Sequence, residues 1–270
     1  MGLKFLSETM QGMIEQNISL VNFPVFSGYC ASCDKVHSLS GANAGRYGVA
    51  LMRELSEIGR IDYKTDFHDA DPRFSIQYLF GPARGQMFGV LECEDDYGSV
   101  HVLRAFSGQY NGVWEVDGWV GPLLDVAGFN AIVPEVDGEI KKLGRQIEQL
   151  VQGEQRNQLI AQRRTLSRNL MKEIHGLYRL PNFRYDERLL GEVFGGPIPT
   201  GTGDCCGPKL LNHAARNNLK PLSLAEFYWG KENRSGSKQH GSFYSSCKEK
   251  CGPIIGFMLC GIEDMEKNVR

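Results

Sequence analysis

The stretch that decides the fold reads PTGTGDCCGPKLLNHAARNNLKPLSLAEFYWG over Pro199–Gly230, and after a polar loop HGSFYSSCKEKCGPIIGFMLCG over His240–Gly261. Gly201-Thr202-Gly203 is a flexible turn feeding a helix, with Asp204 placed to cap it and Pro208 suited to its first turn. The helix is predicted to carry on over Lys209–Asn217. The apolar run Pro221–Trp229 reads as a buried strand, and residues 233–239 as loop. A second helix is expected over Pro253–Cys260, again with proline in its first turn. Helix, strand, helix in this order make a C-terminal α/β unit.

Cysteines fall where those helices begin. Cys205 and Cys206 open the first, with Cys205 taken as the ligand and Cys206 the alternative, and Cys247 and Cys251 lead into the second. A helix N-terminus favours thiolate, the form that ligates metal. Two such N-termini flanking one strand can converge on a tetrahedral zinc, with His240 as fourth ligand. Free cysteine is also a common small core residue, and that reading stays open.

Two carboxylates in this unit suit acid/base work. Glu226 lies in the apolar strand, where burial would raise its pKa; pairing with Lys209 or Arg216 would make it structural instead. Asp204 is either a proton carrier or simply the helix cap. Trp229, at the strand end beside Gly230, could stack a nucleobase or could be core. Lys209 is a candidate contact for an anionic ligand. Cys30-Ala31-Ser32-Cys33 with His37 makes a second possible half-site, three ligands with no visible fourth. His68, His101, His175 and His213 have no ligand spacing and read as structural.

Upstream, residues 1–136 read as an α+β domain. A helix is predicted over Arg46–Ile58, and short strands over Ser75–Phe80, Met87–Cys93, Ser99–Phe106 and Gly112–Val116, separated by tight turns. An antiparallel sheet with a helix-covered face follows. Residues 137–180 read as a helical arm, either a hairpin or one long helix. The arm carries nine basic residues against five acidic, Arg163, Arg164 and Arg168 among them. Residues 181–270 form the Cys/His unit. The fold class is thus α+β: N-terminal antiparallel sheet with helices, helical arm, and C-terminal α/β unit with a metal site.

Charge divides unevenly. Residues 1–136 hold 9 Lys+Arg against 17 Asp+Glu, and residues 137–270 hold 21 against 15, so the second half suits an anionic partner such as RNA, or is an ordinary solvated helical surface. No run of eighteen apolar residues occurs, so no membrane span is expected. The N-terminus lacks a signal-peptide layout, and Leu6 stands where a myristoylation signal wants Ser or Thr, so a cytoplasmic location is the expectation. There, eight cysteines point to metal, catalysis or burial rather than a disulfide framework.

The runs TGTGDCCGPKLLNHA, LAEFYWG and QHGSFYSSCKEKCGPIIGFMLCG, with MFGVLECEDDYGSVHVLRAFSG and more loosely the arm, resemble the N-terminal extension of long RluA-type pseudouridine synthases. The HRLD-type segment that carries those enzymes' catalytic Asp does not occur. The resemblance therefore implies an RNA-modification context, with tRNA or rRNA and a pseudouridine synthase domain as partners, rather than pseudouridine synthesis by this chain. The chain would act either as a separate protein or as a piece of a longer one. Two roles follow. One is a zinc-containing RNA-binding accessory protein. The other is a zinc-dependent nucleoside or RNA-base deaminase-like hydrolase, since those enzymes also pair two cysteine-bearing helix starts across a sheet. In that comparison Gly207 stands where their acid/base Glu would be, and Glu226 or Asp204 must take its role.

Overall fold

Strands β3 (Gln86–Glu94) and β7 (Lys220–Trp229) alternate between two faces that are both buried, which is why each reads as a nearly unbroken apolar run. Phe88, Val90, Phe227 and Trp229 point into one core, and Leu91 and Leu224 into the other. The computed structural model describes residues 23–65 and 69–267. The chain is α+β with antiparallel sheets. Its main sheet has the order β4-β3-β7-β8, where β4 is Val100–Phe106 and β8 is Phe243–Tyr244. Gly89 pairs with Glu226 across β3 and β7. A first hairpin, β1 (Phe26–Cys30) and β2 (Lys35–Leu39), and a small pair, β5 (Arg179–Pro181) and β6 (Glu187–Leu189), stand apart from it.

Helix α1 (Ala42–Ile58) covers one face of the sheet through Leu51 and Leu55, starting four residues before its predicted position. Two long helices, α2 (Val126–Gln149) and α3 (Glu154–Gly176), pack together as the hairpin alternative for the arm, and α4 (Leu190–Phe194) follows β6. The opposite face of the sheet carries α5 (Cys206–Arg216), which packs on β3, β7 and α6 (Gly252–Met258). Both lie within two or three residues of expectation.

Three expectations need correction. Ser75–Phe80 is not a strand: Asp71 and Ser75 accept hydrogen bonds from Arg73 N–H and Gln77 N–H, closing two 3-10 turns, Pro72–Phe74 and Ile76–Phe80. Gly112–Val116 forms a turn, with Tyr110 and Val113 exchanging backbone bonds at 2.8 and 2.9 Å. A boundary at residue 136 does not separate two sheets, because β3 of the first segment pairs along its length with β7 of the third. Among the described residues, no helix is long and apolar enough to cross a membrane. The readings made on residues 1–16 and on His68 lie outside the described residues.

Candidate metal centres

The turn before α5 uses glycine where left-handed backbone is required, at Gly201 (φ 77°) and Gly203 (φ 94°). The cap residue is Cys205, not Asp204, and its side chain caps nothing. Asp204 is half-buried, and its Oδ1 accepts a 2.6 Å hydrogen bond from Tyr178 O–H. Burial raises its carboxyl pKa, against the Tyr178 hydrogen bond and the Lys209 charge. Cys251 is the N-cap of α6, and its N–H lies 3.2 Å from Cys247 O and 3.4 Å from Cys247 Sγ.

These two helix starts bring the sulfurs of Cys205, Cys247 and Cys251 within 4.8 Å of one another. Thiolates around one tetrahedral zinc, with bonds of about 2.3 Å, stand roughly 3.8 Å apart, so the cluster fits the ion with little movement. Its proton balance fits too. Hydrogen bonds from the Cys205 and then the Cys251 thiol hold Cys247 down at about 2, while the same sharing pushes Cys205 and Cys251 above the ordinary thiol value. Such a group already stabilises negative sulfur. Cys247 is exposed, so the cluster meets solvent on one side.

His240 is not brought to this cluster. Its Nδ1 accepts from Gly230 N–H at 3.0 Å, and its ring packs on Trp229 at 4.1 Å. Among the described residues three protein ligands remain, the number that leaves a tetrahedral site one open position. Glu226 lies beneath the start of α5. It is 5% exposed, and its Oε1 accepts a 2.5 Å hydrogen bond from Gly207 N–H. Burial raises its pKa to about 7, opposed by that hydrogen bond and reinforced by the charge of Cys247. The carboxyl is therefore within electrostatic reach of the thiols. A β-carbon on Gly207 would stand 3.3 Å from Oε1, so the glycine leaves the carboxylate room at the helix start. Gly89 does the same below: a β-carbon there would meet Cys206 Cβ at 2.5 Å. Lys238, whose ammonium lies 3.5 Å from the Tyr244 ring centre, is the cation that senses Glu226, Cys247 and Cys205.

Neither expected partner pairs with Glu226. Arg216 binds Asn212 and Glu187. Lys209 is fully buried and donates to Phe106 O at 2.9 Å and Gly108 O at 2.7 Å, with its pKa lowered to about 8 by burial. It tethers α5 to the end of β4 and presents no charge to solvent. Lys209→Met should destabilise the fold by about 2–4 kcal/mol in urea titration, because two carbonyls lose their donor. It should leave the salt dependence of any RNA binding unchanged.

Trp229 is 6% exposed and packs edge-on against Phe227, with Nε1 buried and unpaired. It offers no free face for a base. The arm residues Arg163, Arg164 and Arg168, with Lys172, line a groove of about 970 Å³ between α3 and the segment around α4. A smaller cavity of about 270 Å³ shares Met171 and His175 with it and reaches Trp114, Tyr178 and Asp204. Trp114 Nε1 and His175 Nε2 are buried without partners. His101 pairs with Asp95 at 2.8 Å, and burial keeps His213 below its ordinary pKa.

The half-site Cys30, Cys33 and His37 gains a fourth member that sequence spacing could not indicate. Cys260 follows α6, and its sulfur joins the other three ligand atoms within 4.8 Å. Both Cys/His groups could therefore hold a metal ion. No protein-family model, curated protein or solved structure matches the chain.

Proposed function

We propose that the chain is a zinc-dependent hydrolase of the base-deaminase type, acting on a nucleobase of RNA. The observation that carries this reading is Glu226, a buried carboxyl within electrostatic reach of a three-thiol cluster that has no fourth protein ligand among the described residues. Cys205, Cys247 and Cys251 would hold a divalent ion, which would supply a water acidified to near neutral pH. Glu226 supplies what remains. Its carboxylate would take a proton from the water and pass it to the ring nitrogen as oxygen bonds to the carbon bearing the amine, then carry the remaining hydroxyl proton to the departing nitrogen as the carbon–nitrogen bond breaks. The balance is replacement of a ring amine by a carbonyl and release of ammonia. Gly207 N–H orients the carboxylate throughout, and a pKa near 7 lets one group serve as base and then as acid.

RNA as the substrate rests on the likeness of the third-segment motifs to RNA-modification proteins and on the cationic groove. The smaller cavity extends that groove to Asp204, the residue before Cys205. The decisive test is base conversion, read by mass spectrometry, in single-stranded and structured RNAs incubated with zinc-loaded protein. Conversion of cytosine or adenine, abolished by Cys247→Ser, is expected.

A second reading, an RNA-binding accessory protein without chemistry, is favoured by the groove alone. Replacing Arg163, Arg164 and Arg168 by alanine should lower the slope of log K against log salt by about 2, at roughly 0.7 per single-strand phosphate contact. That change together with no base conversion in the unsubstituted protein would select the second reading.

A further inference from the structure

We infer that Cys30, Cys33, His37 and Cys260 form a closed structural zinc centre that fixes one end of α6, whose other end carries Cys251. This inference stands independently of the hydrolase reading.

The four ligand atoms come from a tight hairpin and a distant helix end. Cys30 ends β1, Cys33 lies in the turn, His37 sits in the middle of β2, and Cys260 lies two residues beyond α6. Cys33 Sγ and His37 Nε2 are 3.1 Å apart. Cys30, His37 and Cys260 are each at most 2% exposed, and all three cysteines are free thiols. Three thiols and an imidazole gathered without a disulfide, only Cys33 partly exposed, match the donor set and number of a filled tetrahedral zinc site.

The surrounding groups support ligation. His37 Nδ1 lies 2.9 Å from Glu263 Oε1, so the imidazole N–H points to the carboxylate and Nε2 is left to face the sulfurs. A carboxylate behind a ligating histidine is the usual way to fix its tautomer and orientation. Arg184 lies within electrostatic reach of Cys260 and Cys33. It supplies a positive charge where three thiolates and one zinc leave a net negative one.

The structural consequence follows from α6. Cys251 and Cys260 bracket a segment that, as helix, spans about 13 Å. Between them α6 lies against β1 backbone to backbone, since a β-carbon on Gly28 would fall 2.3 Å from Gly256 N. A metal at the Cys260 end therefore clamps the helix to the hairpin and sets where Cys251 is presented. One four-ligand site holds the scaffold, and the three-ligand site works from it.

Elemental analysis of the purified full chain should give two zinc ions. Cys260→Ser and His37→Gln should each retain one, and Cys247→Ser should retain the other. Zinc retained at two per chain in Cys260→Ser and His37→Gln would overturn the inference. So would a single zinc in the unsubstituted protein that Cys247→Ser removes. A single zinc kept by Cys247→Ser and lost in His37→Gln would support this centre while removing the basis of the hydrolase reading. If both centre variants fail to fold, native mass spectrometry of the unsubstituted chain during chelation decides. Stepwise loss of two zinc ions, the second coinciding with unfolding, supports the inference; loss of every ion without unfolding overturns it.

Discussion

Glu226→Gln should abolish base conversion while making the protein more stable above neutral pH. The two effects have one cause. Glu226 sits in a site that raises its pKa from 4.5 to about 7, chiefly by burial, so the folded chain holds the proton more tightly than the unfolded chain does. Between pH 4.5 and 7 the unfolded state releases this proton and the folded state keeps it. The stability associated with the group is therefore fully present below about pH 4.5 and is lost as pH rises through 7. The glutamine amide keeps the shape and can still accept from Gly207 N–H, but it carries no charge to bury. At pH 8 the variant should exceed the parent by up to about 3 kcal/mol in protein whose three-thiol site has been emptied and whose Cys30/Cys33/His37/Cys260 centre stays filled, the linkage value of a shift of this size. A bound cation would favour the carboxylate and shrink the gain, so the difference should be smaller in the zinc-loaded protein. Activity should fall by about 10²–10⁴-fold, the usual contribution of a general acid/base, with zinc content unchanged. Equal activity in the variant would remove Glu226 from the chemistry. Unchanged stability at both pH 5 and pH 8 would mean that its carboxyl is hydrated rather than buried.

The sequence carried much of this arrangement, and the exceptions have physical reasons. Helical periodicity and apolar runs placed α1, β3, β4, α5, β7 and α6, because each buries a face or both faces. The cysteines at Cys205, Cys247 and Cys251 were legible because ligands at helix starts have a recognisable local setting. His240 was the misleading member. A histidine close to cysteines in a polar loop looks like a ligand, yet its Nδ1 is taken by the Gly230 N–H at the strand end. Cys260 was hidden for the opposite reason. It sits in the apolar run GFMLCG, where a buried cysteine needs no explanation, and only the packing of α6 on the first hairpin brings it to Cys30 and His37. Two short runs, Ser75–Phe80 and Gly112–Val116, have strand-like composition but fold as turns. Side-chain caps at Asp71 and Ser75 decide the first, and an Asn111-Gly112 turn with positive φ at both residues decides the second. The Asp-Pro pair and the serine were visible signals for 3-10 turns.

Gly256→Ala should be among the most damaging small substitutions in the chain, and Gly138→Ala should be mildly stabilising. Both glycines are inside helices, α6 and α2, where alanine is ordinarily favoured by about 0.5–1 kcal/mol. Around Gly138 a new β-carbon meets nothing within 4 Å, so that gain should appear in full. At Gly256 the same atom would fall 2.2 Å from both the carbonyl carbon and the oxygen of Tyr29. No side chain can rotate away, because the obstacle is the backbone of β1. Accommodation requires α6 to leave the hairpin, which opens the core around Ile254, Ile255 and Phe257 and separates Cys260 from Cys30, Cys33 and His37. The expected cost is about 3 kcal/mol or more, at or above the upper end of ordinary overpacking. Zinc content should fall with it, from two toward one. Urea titration of the two variants beside the parent, with zinc measured in each, checks both signs. A Gly256→Ala protein that is as stable as Gly138→Ala and holds its full metal would show that the hairpin does not pack on α6 in solution. The clamp between the two metal centres would then have no structural basis.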